Sequence, residues 1–226
     1  MSVTCVCREC GAEFGYEPSA SPLVVGFRPQ ICNGCAAAAD AERIALAADA
    51  ERALRGVPPR YEGASFASFA AHTPSQRLAL ELLRDRAGEG VMLIGDAGCG
   101  KTHLACAAIS VGPPGSLFAN TTTLLDDVRR GFGGEGQGLF ARALSAPLLA
   151  LDDLGSEAVT DWVRDRLYAL INHRWDHCLP LLVTTNVLAA DLAERIGQGV
   201  TSRIAGCCAH RIRVQGPDGR RRRAET

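Results

Sequence analysis

Lysine is nearly missing from this chain: of its 24 Lys and Arg residues, Lys101 alone is lysine. An excess of either charge is also lacking, since 24 basic residues face 25 acidic ones for a net charge of −1. That balance excludes a global basic field of the kind that draws a protein onto nucleic acid, so any such contact must come from local patches. The longest apolar runs fall far short of the roughly 20 residues needed to cross a bilayer, so no membrane partner is expected. The start, MSVTCVCREC, has neither the basic head nor the apolar stretch of a secretory signal. The expected location is therefore cytoplasmic, with reduced cysteines. No internal repeat is present, and 226 residues suit one α/β domain with an appendage.

What is there falls into three regions. Residues 1–35 hold CVCREC at one end and CNGC at the other, with Gly, Pro and Ser between, and read as a small separate module. Residues 36–56 begin as a run of Ala, Glu and Arg with a sparse apolar edge of Ile44, Leu46 and Leu54, which predicts a connecting helix. The prolines of GVPPRYEGASF end it. Over 57–226, strand-like runs such as VMLI, SLFAN, PLLALDD, LPLLVTTN and HRIRV alternate with helical patterns. That alternation predicts an α/β fold, a parallel sheet covered by helices on both faces. GFGGEGQG, residues 131–138, carries too much glycine for an element and reads as a flexible loop.

GDAGCGKTH, residues 95–103, sits between the VMLI strand and a helical pattern and matches Gly, four residues, Gly-Lys-Thr. Gly95, Asp96, Ala97, Gly98, Cys99, Gly100 and His103 form the expected cradle, whose backbone N–H groups and helix dipole face phosphates. Lys101 is expected on the β- and γ-phosphates of ATP, with the Thr102 hydroxyl on Mg²⁺. A chain that otherwise uses arginine places its one lysine where a compact ammonium suits a phosphate pocket.

PLLALDD supplies the second carboxylate-bearing strand, with Asp152 read as the Mg²⁺ partner and Asp153 as the base that polarises water. LLVTTN ends another strand on Asn186, placed to hold the lytic water or the γ-phosphate. SLFAN intervenes between the phosphate loop and the Asp-Asp strand, an additional-strand arrangement that simple nucleotide kinases usually lack.

Together these motifs, over residues 57–220, resemble the DnaC/IstB-like branch of the AAA+ ATPases. PPRYEGASFASF is similar to its entry segment, LLALDDLG to its Asp-Asp strand, and INHRW with LLVTTN to its Asn-x-Arg-Tyr helix and sensor strand. The resemblance implies a five-stranded parallel sheet in order 5-1-4-3-2, counted from the phosphate-loop strand. It makes Arg203 of TSRI an arginine finger entering a neighbouring subunit's site, and so implies self-oligomerisation. It makes Arg220 of GPDGR a sensor-2 arginine, with Arg220–Arg223 equally readable as a solvated basic tail; as the sequence ends soon after, the helical lid of many AAA+ proteins is expected to be reduced or absent.

Cys7-x-x-Cys10 and Cys32-x-x-Cys35 carry the spacing of a four-thiolate zinc ribbon. Disulfides are the competing use, disfavoured in a reducing compartment, and Cys5 is an alternative to Cys7 as a ligand. Cys99, Cys106, Cys178, Cys207 and Cys208 have no paired spacing and read as buried small residues or bystanders.

The resemblance implies an ATP-dependent helicase loader that docks its zinc module on a DnaB-type replicative helicase hexamer and assembles on single-stranded DNA. The alternatives are a transposition helper acting on duplex DNA, a non-catalytic zinc adaptor and a small-molecule kinase. Phe118, Phe132 and Phe140 are candidates both for stacking on bases and for the core.

Overall fold

A computed structural model describes residues 3–17, 29–86, 88–130 and 138–219. The chain divides into two compact units, Met1–Ala50 and Glu51–Thr226.

In the first unit, β1 (Val3–Val6) pairs antiparallel with β2 (Glu13–Tyr16), placing Cys5 opposite Phe14. Cys7 and Cys10 lie in the turn between them, where the Gly11 N–H donates to the Cys7 carbonyl at 3.0 Å. Helix α1 runs from Asn33 to Leu54. It thus begins three residues before the expected connecting helix and takes Cys35 into its first turn, because the Cys32 carbonyl already accepts from the Ala36 N–H at 2.9 Å.

In the second unit, five parallel strands lie in the order β4-β5-β6-β3-β7. They are β3 (Val91–Ile94), β4 (Leu117–Asn120), β5 (Leu149–Asp152), β6 (Leu181–Thr185) and β7 (His210–Arg213). Counted from the phosphate-loop strand β3, this is the expected order 5-1-4-3-2. Two-residue alternation sends successive side chains to opposite faces. Leu149 and Leu151 join a core beneath α4 (Thr121–Arg130), α5 (Leu139–Ser145), α6 (Asp161–Asp176), α7 (Ala189–Ile196) and α8 (Gln198–Cys207). Ala150 joins the opposite core with α2 (Pro74–Arg86) and α3 (Lys101–Val111).

Phe118 is buried in this second core and Phe140 packs partly buried on the first. Phe132 and residues 131–137 of the glycine-rich stretch lie outside the described residues. Gly138, the last residue of that stretch, precedes α5, whose Leu139 N–H donates to Asp127 Oδ2 at 2.8 Å.

Arg174 on α6 has no solvent exposure at all. Its Nη1 donates to the Ala143 and Ala146 carbonyls at 2.8 and 2.9 Å, and its Nη2 to the Pro180 carbonyl at 2.6 Å. One guanidinium therefore caps the C-terminus of α5 and ties it to the start of β6, satisfying carbonyls that helix termination leaves open. Burial pulls its pKa down from 12.5 to about 10.

Candidate nucleotide site and cysteine cluster

The phosphate loop leaves β3 and turns into α3 at Gly100. Gly98 and Gly100 hold φ of +83° and +98°, a left-handed backbone that favours glycine. A side chain at Gly100 would also strike the Phe69 ring, whose Cε2 lies 2.5 Å from the position of a Cβ.

The loop opens on a cavity of about 940 Å³. Ala97, Gly98, Cys99, Gly100, Lys101, Thr102 and His103 line it from one side, and Asp152, Asp153 and Asn186 from the strand ends. Gly95 and Asp96 contribute through their carbonyls, which accept from Lys101 Nζ at 2.7 and 2.8 Å. Lys101 is only 8% exposed. His103 Nε2 lies 3.1 Å from the Ser65 carbonyl and 3.3 Å from Ser68 Oγ, joining α3 to the segment before it.

Asp152, 6% exposed, sits at the end of β5. Its Oδ1 accepts from Thr184 Oγ1 at 2.6 Å and from Thr102 Oγ1 at 3.1 Å. Burial pushes its pKa above the usual carboxylate range, while the two hydroxyl donors pull it back. The neighbouring Asp153 holds φ +59°, a strained conformation for a residue with a Cβ. Its N–H donates to Thr184 Oγ1 at 3.0 Å. The single hydroxyl of Thr184 therefore fixes the side chain of one aspartate and the backbone of the next. In LLVTTN the motif points to Asn186, whereas Thr184, one residue before the end of β6, is marked only by its place at the strand end.

Arg203 does not reach this cavity. Its guanidinium stacks over Tyr168 at 4.9 Å and its Nη1 donates to the Gly199 carbonyl at 3.1 Å. Arg220 lies outside the described residues.

In the first unit, the sulfurs of Cys7, Cys10, Cys32 and Cys35 all lie within 4.8 Å of one another, and Cys5 is not among them. Cys10 and Cys32 sulfurs stand 3.8 Å apart. That is far beyond a disulfide bond of about 2.05 Å, and matches the edge of a tetrahedron with metal–sulfur bonds of about 2.3 Å. Backbone hydrogen bonds, that of Cys10 foremost, lower the Cys7 thiol to about 6, while the thiols of Cys10, Cys32 and Cys7 raise Cys35 to about 12. Four thiolates this close repel one another, so full ionisation of the set calls for a soft cation at its centre. Cys99, Cys106, Cys207 and Cys208 are buried and Cys178 exposed, all free thiols.

A family model described as IstB-like ATP binding protein matches residues 70–214. An ATP-binding protein in an insertion sequence of Mycobacterium tuberculosis is 36% identical over 125 residues, 50% of each chain, so the chain spans about half the length of this curated relative. The crystal structure of the DnaC helicase loader superposes with a TM-score of 0.62 and 29% identity, covering 69% of this chain and 100% of that one. That of DnaI gives 0.58 and 21%, covering 75% and 98%. AMPPCP-bound DnaA from Aquifex aeolicus gives 0.55 and 17%, covering 73% and 53%. The last two likenesses concern the fold alone.

Proposed function

Since the chain belongs to the IstB-like ATP-binding family, with the α/β fold of the AAA+ ATPases, we propose that it is an ATP-driven loader of a hexameric replicative helicase, assembling on single-stranded DNA. The observation that carries the loader reading is the four-thiolate unit ahead of the ATPase unit, a metal-rigidified module suited to gripping a partner. The likeness to the DnaC helicase loader over that chain's whole length supports it. Zinc would be held by Cys7, Cys10, Cys32 and Cys35 and would supply the folding free energy that so small a core lacks.

ATP hydrolysis follows from the residues around the cavity. Lys101 exchanges the Gly95 and Asp96 carbonyls for the β- and γ-phosphate oxygens, a stronger charge-assisted contact. Thr102 and Asp152 would hold Mg²⁺, which neutralises charge on the phosphates. Asp153 accepts the proton of the attacking water as its oxygen bonds to the γ-phosphorus and the bond to the β–γ bridging oxygen breaks, leaving ADP and phosphate. Asn186 orients that water. Arg203 leaves Tyr168 to enter a neighbouring subunit's cavity and stabilise the transition-state charge.

A second reading, a transposition helper on duplex DNA, is favoured by the insertion-sequence relative. ATPase rate against protein concentration, with single-stranded or duplex DNA, together with co-elution with the replicative helicase, separates the two. The loader predicts a cooperative rise with single-stranded DNA and a stable helicase complex. Stimulation by duplex alone, with no helicase complex, refutes the loader and supports the helper. A flat rate indifferent to DNA refutes the assembled motor.

A further inference from the structure

The phosphate loop is held by a collar built from two segments far apart in sequence, His72 to Gln76 and Gln215 to Gly219. One is Thr73-Pro-Ser-Gln76 at the start of α2, a capping box in which the Gln76 N–H donates to Thr73 Oγ1 at 3.2 Å and Gln76 Oε1 accepts from the Thr73 N–H at 3.1 Å. Gln76 Oε1 also accepts from the His72 N–H at 2.8 Å. The amide nitrogen is not used by the helix: Nε2 donates to the Cys99 carbonyl at 3.0 Å. Gln76 is 3% exposed, so this polar group is buried and committed.

The other segment follows β7. The Gln215 carbonyl accepts from Thr73 Oγ1 at 2.6 Å, Gly216 packs on the Gln76 amide, and the Gly219 N–H donates to the Gly98 carbonyl at 3.1 Å. The two carbonyls gripped are those that matter for anion binding. A trans peptide points its C=O and the next N–H in opposite directions. Fixing the Gly98 and Cys99 carbonyls therefore fixes the Cys99 and Gly100 N–H groups as well, at the cavity that these loop residues line together with Gln76 and Gly219. Gly98 and Gly100 would otherwise leave these peptide planes free to rotate.

We propose that Gln76 is a positioning residue for nucleotide binding: its side-chain amide, acting through the Cys99 carbonyl, presets the Gly100 N–H for the phosphates. The inference rests on the reading of the cavity as a nucleotide site. The test is titration of the full-length protein with a fluorescent ADP analogue without Mg²⁺, alongside the melting temperature. Gln76→Glu keeps an oxygen to accept from the His72 and Thr73 N–H groups, but replaces the donor with a second oxygen facing the Cys99 carbonyl and adds a negative charge, and is expected to weaken ADP at least about tenfold, one hydrogen bond and a charge repulsion together.

Gly216→Ala reaches the same amide from the opposite side without altering it, because its Cβ would lie 2.3 Å from Gln76 Nε2. It is expected to weaken ADP in the same direction, and to do nothing further in a Gln76→Ala background, where no amide remains to be displaced. Thr73→Ala, which removes the cap hydroxyl and leaves the Cys99 contact, is expected to lower the melting temperature while ADP affinity stays within twofold. Wild type that binds ADP while Gly216→Ala and any folded Gln76→Glu bind it within twofold overturns the inference alone. Affinity losses that track melting temperature across all variants, Thr73→Ala included, overturn it equally. Wild type that fails to bind ADP overturns the nucleotide reading and this inference with it.

Discussion

Replacing Thr184 by valine deletes one hydroxyl and keeps the shape of the side chain. Two partners lose their contact at once: Asp152 Oδ1, accepting at 2.6 Å, and the Asp153 N–H, donating at 3.0 Å. A hydrogen bond to a charged group contributes about 1.5–3 kcal/mol and an unsatisfied buried N–H costs about 1–3 kcal/mol. Thr102 Oγ1 remains on the carboxylate at 3.1 Å and offsets part of this, so the expected loss is about 2–4 kcal/mol near neutral pH. For a domain of this size each kcal/mol moves the melting temperature by roughly 2–4 °C, giving a fall of roughly 5–15 °C.

The loss should depend on pH in a fixed direction. Burial raises Asp152 above its ordinary value in the folded state, so its contribution to stability is fullest at acid pH and declines as pH rises through the folded value. Removing a donor to the carboxylate raises that value further, and the gap between variant and wild type widens from acid to neutral pH. Calorimetry from about pH 4, near the ordinary carboxylate value, to neutral pH reads this directly. In the same variant the ATPase turnover should fall about a hundredfold, equivalent to about 2.7 kcal/mol, because Asp153 loses its anchor. ADP affinity without Mg²⁺ should change less than threefold, since the phosphate loop is untouched. An unchanged melting temperature, or a gap that widens toward acid pH, would refute the reasoning.

Arg174→Met should lower the melting temperature by roughly 5–15 °C, since the carbonyls of Ala143, Ala146 and Pro180 lose a shared donor; calorimetry that finds no shift removes the assigned role. Native mass spectrometry should find one zinc per chain, lost in Cys10→Ser, with the helicase complex lost while basal ATPase persists. Zinc retained in that variant would place the metal elsewhere. Arg203→Ala and Lys101→Ala, each inactive alone, should regain ATPase activity when mixed, because one supplies the site and the other the finger. Mixtures no more active than either variant would mean that Arg203 acts within its own chain.

The readable parts of this chain are those in which one local pattern fixes both structure and chemistry. Gly95 to Thr102 had to follow a strand and open a helix, and β3 and α3 do so. Four apolar residues before Asp152 had to be a strand buried on both faces, and β5 is buried throughout. What stayed hidden depends on contacts between distant segments. Thr73 and Gln76 carry the local pattern of a capping box at the start of α2, yet nothing near Gln76 in the sequence reveals that its amide grips Cys99. Arg174 falls inside the INHRW motif, but the motif does not say what the arginine holds; it is buried because α5, which follows the glycine-rich stretch, aims its last carbonyls at it.

The two cations assigned to the reaction are both held within their own chain. Lys101 rests on two carbonyls of its loop, and Arg203 rests on Tyr168 and the Gly199 carbonyl, with an Nε that finds no partner among the described residues. A cation–π contact is worth about 0.5–1 kcal/mol at exposed sites and about 2 kcal/mol when desolvated, and Arg203 lies between the two. A γ-phosphate is a far better partner for a guanidinium than a tyrosine ring and one carbonyl. Release of Arg203 is therefore a small barrier, and the step that limits hydrolysis on the proposed reading is the arrival of a second subunit. Turnover should then follow the concentration of assembled protein, steeply at low concentration and flat once the assembly is complete, whereas a finger trapped in its own chain would leave turnover per subunit constant throughout.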